Sequence, residues 1–118
     1  MRNMSFMLTT EQIRNRTKTV TRRLGWLFLK PGDMVMACVQ CQGLTRGEKI
    51  QRITPIRIVS TWMVPLDPIS PEDVIHEGFP ALTPAEFVDM FCRELRCDPW
   101  VPVNRIEFEY VEAADGTI

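Results

Sequence analysis

The sequence predicts an α+β fold, a small and mostly antiparallel β-barrel carrying three helices. Three observations carry this expectation. Two proline-marked helix starts, Ser70-Pro71 and Thr83-Pro84, lie close together, so the helices cluster instead of alternating with strands. The segment Val103 to Val111 sets Ile106, Phe108 and Tyr110 against Arg105, Glu107 and Glu109, the two-residue period of a half-buried strand. The β-prone stretch Ile50 to Trp62 has no cleanly apolar face and contains Pro55, which suits a curved barrel strand with a bulge or an edge position.

In chain order, Ser5 to Leu8 reads as a short first strand. Thr9 or Thr10 then caps a helix running to about Arg16, with Gln12 in capping-box position after Thr9. Arg14, Arg16 and Lys18 suit the negative end of that helix. Thr17 to Arg23 is β-prone and extended, and Pro31-Gly32 marks a tight turn. Met34 to Gln42 and Ile50 to Trp62 form two strands joined by a hairpin loop over Gly43 to Lys49. Ser70-Pro71-Glu72-Asp73 starts a short helix that ends near Glu77, where Gly78 supplies the C-cap. Thr83-Pro84-Ala85-Glu86 is a capping box that opens a helix to about Leu95, with Phe87, Met90, Phe91 and Leu95 as its core-facing stripe. The order is β-α-β-β-β-α-α-β, without parallel βαβ units.

The 118 residues suit one domain over residues 1–112 and a frayed C-terminal tail over residues 113–118. Apolar residues make up 45% and charged residues 25%, which argues against global disorder. No apolar run is long enough to cross a bilayer, and Met1 to Leu8 meets Thr9-Thr10-Glu11 too soon for a signal peptide. The expectation is a cytoplasmic protein without a membrane partner. Residues 1–60 carry eleven Lys or Arg against three Asp or Glu, and residues 61–118 carry three against twelve. A basic half suits a polyanionic ligand; equally, two oppositely charged halves pack on each other.

The most informative run is Lys18-Thr19-Val20-Thr21-Arg22-Arg23. It concentrates an amine, hydroxyls and two guanidinium groups around one apolar residue. A core strand cannot hide that many polar groups, so its polar side is expected to line a cleft. Arg22 and Arg23 are suited to bidentate contacts with phosphate or a base, or to ion pairs with the acidic half. Trp26, Trp62 and Trp100 offer either a stacking surface or partly buried core. His76, the only histidine, adjoins Glu77 and either tunes that carboxylate or is solvated. The cysteines Cys38, Cys41, Cys92 and Cys97 have C-x2-C and C-x4-C spacings that would serve a zinc site, but buried free thiols are the simpler reading. No metal or other cofactor is expected.

Taken together, the short helix, the Lys-Thr-x-Thr-x-Arg run, the Lys30-Pro31-Gly32-Asp33 turn and the closing Asn104-Arg105-Ile106-Glu107-Phe108 strand resemble the ASCH domain family of the PUA-like superfamily, from Phe6 to Tyr110. The resemblance implies a PUA-like barrel that binds RNA or a modified nucleoside in a cleft between barrel and helices. One branch of the family consists of small amidohydrolases that remove the acetyl group of N4-acetylcytidine with a Lys, a Thr three residues later and a Glu in the following helical region. Carried over, those are Lys18, Thr21 and Glu77, with Thr19, Arg22, Arg23 and Trp26 on the substrate or nucleic acid. This chain departs from that branch in Arg22-Arg23, in the aromatic segment Trp26 to Leu29 and in the Gly43 to Lys49 loop.

Amide hydrolysis needs a nucleophile, a base and a group for developing charge. Lys18 takes a proton only as a neutral amine, against an ordinary pKa of about 10.4. Burial and the neighbouring arginines favour the neutral form, and Glu77 opposes it. Read from the residues alone, Lys18 serves as well as a solvated turn residue, Thr21 as a strand residue and Glu77 as a solvent-facing group. The functions to be separated are an amidohydrolase, a non-catalytic RNA-binding module, and a protein-interaction adaptor with a degenerate cleft.

Overall fold

The computed structural model describes residues 1–112; the tail expected over 113–118 lies outside the described residues. Five strands form one sheet: β1 (Arg2–Ser5), β2 (Val20–Arg23), β3 (Met34–Cys38), β4 (Arg52–Pro65) and β5 (Pro102–Tyr110), in the spatial order β1-β3-β4-β5-β2. The sheet curls into a half-barrel. Its three helices are α1 (Thr10–Arg14), α2 (Pro71–His76) and α3 (Pro84–Leu95). No helix among the described residues is long and apolar enough to cross a membrane.

Three pairings are antiparallel, and β1 on β3 is parallel. The chain reaches β3 only after crossing to the far edge of the sheet to make β2. The expected strand over Ser5 to Leu8 is displaced to Arg2–Ser5, because Phe6 turns inward and the exposed Met7 and Leu8 begin a 3-10 turn over Met7–Thr9. The capping box expected at Thr9 does not form. Gln12 instead sends its side-chain amide to the Gly78 carbonyl at 3.0 Å. At α2 and α3 the expected caps are present: Ser70 accepts from Asp73 N–H, and Thr83 and Glu86 form a reciprocal box.

Pro55 does not sit on an edge, since β4 lies between β3 and β5. The ladder to β5 ends at Ile56↔Tyr110, and beyond it the Pro55 carbonyl accepts from Val111 N–H at 3.3 Å. The missing proline N–H faces that same side and costs no ladder bond. Register shifts flank Pro55, one at Ile53 against β3 and one between Ile58 and Ser60 against β5. The strand expected over Met34 to Gln42 stops at Cys38, where the register shifts, so the connection to β4 is longer than the seven-residue hairpin loop expected.

Two apolar clusters hold the fold. Met4, Phe6, Ile13, Val35, Ile58, Ile106 and Phe108 fill the inside of the curl under α1. Leu66, Ile69, Val74, Phe87, Val88, Phe91 and Val103 pack α2 and α3 on the outer face. Alternation along β5 separates the two: Asn104, Ile106 and Phe108 face in, while Val103 and Arg105 face the helices.

Gly78 closes α2 at φ +103°, and a Cβ there would meet Gln12 Cγ at 3.0 Å. Gly78→Ala is therefore expected to destabilise by about 1–2 kcal/mol, lowering the melting temperature by several degrees in a thermal scan. An unchanged melting temperature would show that the α1–α2 contact is not tight.

Candidate functional site

The half-barrel leaves a seam between its edge strands β1 and β2. A cavity of about 570 Å³ opens beside that seam, inside the range of roughly 300–1,000 Å³ typical of small-molecule sites. Its apolar wall comes from Phe6, Phe79, Phe87, Met90 and Phe91, and its mouth from Met7, Leu8, Leu24, Phe28 and Leu95. The α3 stripe expected to be pure core thus also forms a cavity wall. The polar end is made by Lys18, Thr21, Arg22, Arg23 and Glu77.

Each polar side chain reaches this end for a local reason. Arg16 takes a left-handed backbone (φ 63°) and turns the chain out of α1. Lys18 N–H then bonds Gln12 O at 3.3 Å, and the Tyr110 hydroxyl donates to Lys18 O at 2.6 Å. Burial pushes the Tyr110 phenol up to about 12, so it remains a donor. Thr19 is held by its backbone, donating to His76 O at 2.9 Å and accepting from Phe108 N–H at 3.0 Å. In β2 the side chains alternate. Thr21 and Arg23 share one face and Arg22 takes the other, toward α2. Glu77 follows α2 directly, placed by its N–H bond to Asp73 O.

The electrostatics form one row. Lys18 Nζ donates to Glu77 Oε1 at 2.9 Å and to Glu77 O at 2.7 Å. Arg22 donates to Glu77 Oε2 at 3.1 Å and to Asp73 Oδ2 at 2.6 Å. Arg105 closes the row on both Asp73 oxygens, at 2.7 and 2.9 Å. Lys18 and Glu77 are each 3% exposed and Arg22 is 7% exposed. Burial holds the Lys18 amine below its ordinary value, while Glu77 opposes that shift and Arg23 and Arg22 add to it. Hydrogen bonds from Arg105, then from Arg22, hold the Asp73 carboxyl well below the usual carboxylate range.

Thr21, 3% exposed, accepts from Arg23 Nε at 3.0 Å. Arg23 also spans the seam, donating to Ser5 O at 2.8 Å with its guanidinium 4.7 Å from the Phe6 ring centre. Among the described residues no hydrogen bond joins Lys18 to Thr21. Trp26 holds a left-handed backbone (φ 64°), costly for a bulky residue. Asn104 holds it there by donating to Trp26 O at 3.1 Å, and its ring lies tilted against Phe28 with centres 5.5 Å apart.

Of the residues singled out from the sequence, Lys18, Thr21, Arg22, Arg23, Trp26 and Glu77 line this one cavity, and Thr19 does not. Trp62 and Trp100 are exposed and do not line it. His76 is half exposed, with Nδ1 3.4 Å from Asp73 Oδ1, so it adjoins Asp73 and not the Glu77 carboxylate. Sequence reading missed Asp73 and Arg105. In the sequence Asp73 reads as a first-turn acid of α2, and its spacing of four before Glu77 is the available signal. The cysteines form two separate pairs of free thiols, and among the described residues no group of three or more His, Cys, Asp or Glu side chains converges as a metal site would require. Burial and the adjacent Cys41 push the Cys38 thiol up to about 11.

No family model matches the chain, and no curated protein does. Solved structures do. A protein of Enterococcus faecalis V583 from the family model DUF984 aligns with a TM-score of 0.62 at 20% identity, over 86% of this chain. This chain spans 65% of that protein's length. The ASCH domain from Lactobacillus crispatus JV V101 aligns with a TM-score of 0.58 at 14% identity, over 92% of this chain and 78% of that domain. The architecture is accordingly an ASCH-type, PUA-like fold.

The Asp73 contribution has a defined pH window. Its folded pKa lies below the ordinary 3.8, so the stabilisation is complete above that pH and is lost as pH falls below it. Asp73→Asn is expected to cost about 3–5 kcal/mol at neutral pH, because Arg22 and Arg105 lose their shared partner. It is also expected to flatten the acid limb of a melting-temperature profile. A variant with the wild-type profile would show that the row does not hold α2 to the sheet.

Proposed function

We propose, from the premise of an ASCH-type fold, that the cavity binds a modified nucleoside and that its polar end hydrolyses the exocyclic amide of an N4-acetylcytidine-like substrate. The observation that carries this reading is the convergence of Lys18, Thr21 and Glu77, each 3% exposed, on one cavity. Buried ion pairs contribute little net stability, and perturbed titratable groups in a cleft are candidates for chemistry. The apolar wall suits a flat heterocycle, and the polar end suits its hydrogen-bonding edge.

Chemically, Lys18 acts as the base through its neutral amine, the form that burial favours. Thr21 Oγ attacks the acyl carbon, its proton passes to Lys18 Nζ, and the carbonyl electron pair moves to oxygen. The Arg23 guanidinium donates to Thr21 Oγ1 and supports the developing negative charge. Collapse breaks the C–N4 bond, and N4 takes the proton from Lys18, so cytidine leaves. Water then cleaves the threonyl ester and releases acetate.

One observation favours a second reading. Lys18 places two hydrogen bonds on Glu77 and none on Thr21, as suits a cleft that binds a base or RNA without turnover. The two readings part in one experiment. Wild-type protein incubated with N4-acetylcytidine is expected to release cytidine, measured by chromatography. Lys18→Ala and Thr21→Ala are each expected to lower that rate on the order of 10²–10⁴-fold, with Thr21→Ala still binding the nucleoside. Full activity in either variant would remove the assignment. Absence of cytidine beside salt-dependent RNA affinity, weakened by removing Arg22 and Arg23, would establish the binding module.

A further inference from the structure

We propose that the polar end of the cavity is an oxyanion subsite, built to take a carboxylate or phosphate group of a ligand. The charges and hydrogen bonds of this cluster support the subsite whether or not the amide reading holds. Lys18, Arg22, Arg23 and Arg105 cluster about Glu77 and Asp73, with Glu107 4.0 Å from Arg105 at the far end. Asp73 is spent behind the cavity on Arg22 and Arg105. Facing the cavity, Glu77 pairs with Lys18 and Arg22, Arg22 pairs also with Asp73, and among the described residues Arg23 has no carboxylate within ion-pair distance. The two other charged lining residues, Arg2 and Glu94, are exposed and opposite in sign.

The donors show the same imbalance. Both carboxylate oxygens and the carbonyl of Glu77 already accept bonds. Lys18 has three N–H donors and uses two of them. Arg23 donates through Nε and one terminal nitrogen, and among the described residues nothing accepts from the other. Thr21 Oγ1 accepts from Arg23, which leaves its hydrogen free to donate. Arg22 Nε is buried with no partner at all. Buried polar groups in folded proteins are nearly always satisfied. This cluster has donors left over, and an oxyanion supplies both acceptors for them and the missing charge. Burial lowers both the Lys18 and the Arg23 values, and Glu77 offsets this only in part.

The test is a titration of the full chain with sodium acetate and with inorganic phosphate, at constant ionic strength against sodium chloride. Binding is read by calorimetry and by the Nε–H resonances of Arg22 and Arg23. Saturable binding of acetate or phosphate is expected, with those resonances shifting along the same isotherm. Stronger acetate binding assigns a carboxylate ligand, and stronger phosphate binding assigns a phosphorylated one. Arg23→Gln is expected to weaken binding at least about tenfold, and Arg23→Lys to retain most of it. Lack of saturation, equal response to chloride, or unmoved arginine resonances in the wild-type protein would overturn the proposal, even should Arg23→Gln fail to fold. The amide reading fails separately, on cytidine release.

Discussion

The buried row Lys18–Glu77–Arg22–Asp73–Arg105 is the interaction on which the arrangement of this molecule depends. Its members come from the turn after α1, from β2, from α2 and its end, and from β5. Lys18, Glu77, Arg22 and Asp73 have been taken out of water, so each is tolerable only with its neighbour in place. The row thereby fixes where α2 ends relative to the edge of the sheet. Apolar packing of Val74 and Phe87 brings the helices to that face, but packing alone tolerates sliding; alternating charges do not.

The curled sheet supplies the second constraint. A fully closed barrel would bury the inner edge of β2, whereas a half-barrel leaves it beside an open seam. Arg23 spans that seam to Ser5, and its guanidinium lies over Phe6. The cavity consequently has two chemistries in one space. Its aromatic wall belongs to the packing of α3 and the segment before it, and its polar end belongs to β2 and Glu77. A ligand with a flat apolar body and a polar edge matches both.

Several sequence features carried more than one possible meaning, and tertiary contacts chose among them. Gln12 was in position to cap α1, yet the turn at Gly78 offered it a carbonyl, and it crosses to that partner instead. Thr19 belongs to the same polar run as Thr21, but its backbone ties the run to His76 and Phe108, outside the cavity lining. Phe6, Met7 and Leu8 had strand composition; the burial of Phe6 and exposure of Met7 and Leu8 show a chain turning a corner.

What the sequence alone determined was local: the caps of α2 and α3, the alternation of β5 and the break at Gly78, whereas the polar run expected to avoid burial has Lys18, Thr21 and Arg22 buried and ion-paired or hydrogen-bonded. Those signals arise from backbone hydrogen bonding and side-chain period within a few residues, so they are readable in order along the chain. The resemblance through Lys18, Thr21 and Glu77 named cavity residues before their geometry was known. Only the tertiary structure decided the parallel pairing of β1, the central place of β4 and the partnership of Arg22 and Arg105 through Asp73. The Asp73 bonds join residues 32 and 51 positions apart, and their energy comes from charges meeting in a low-dielectric interior; the strand pairings likewise join residues distant in the chain. No local pattern records such a meeting.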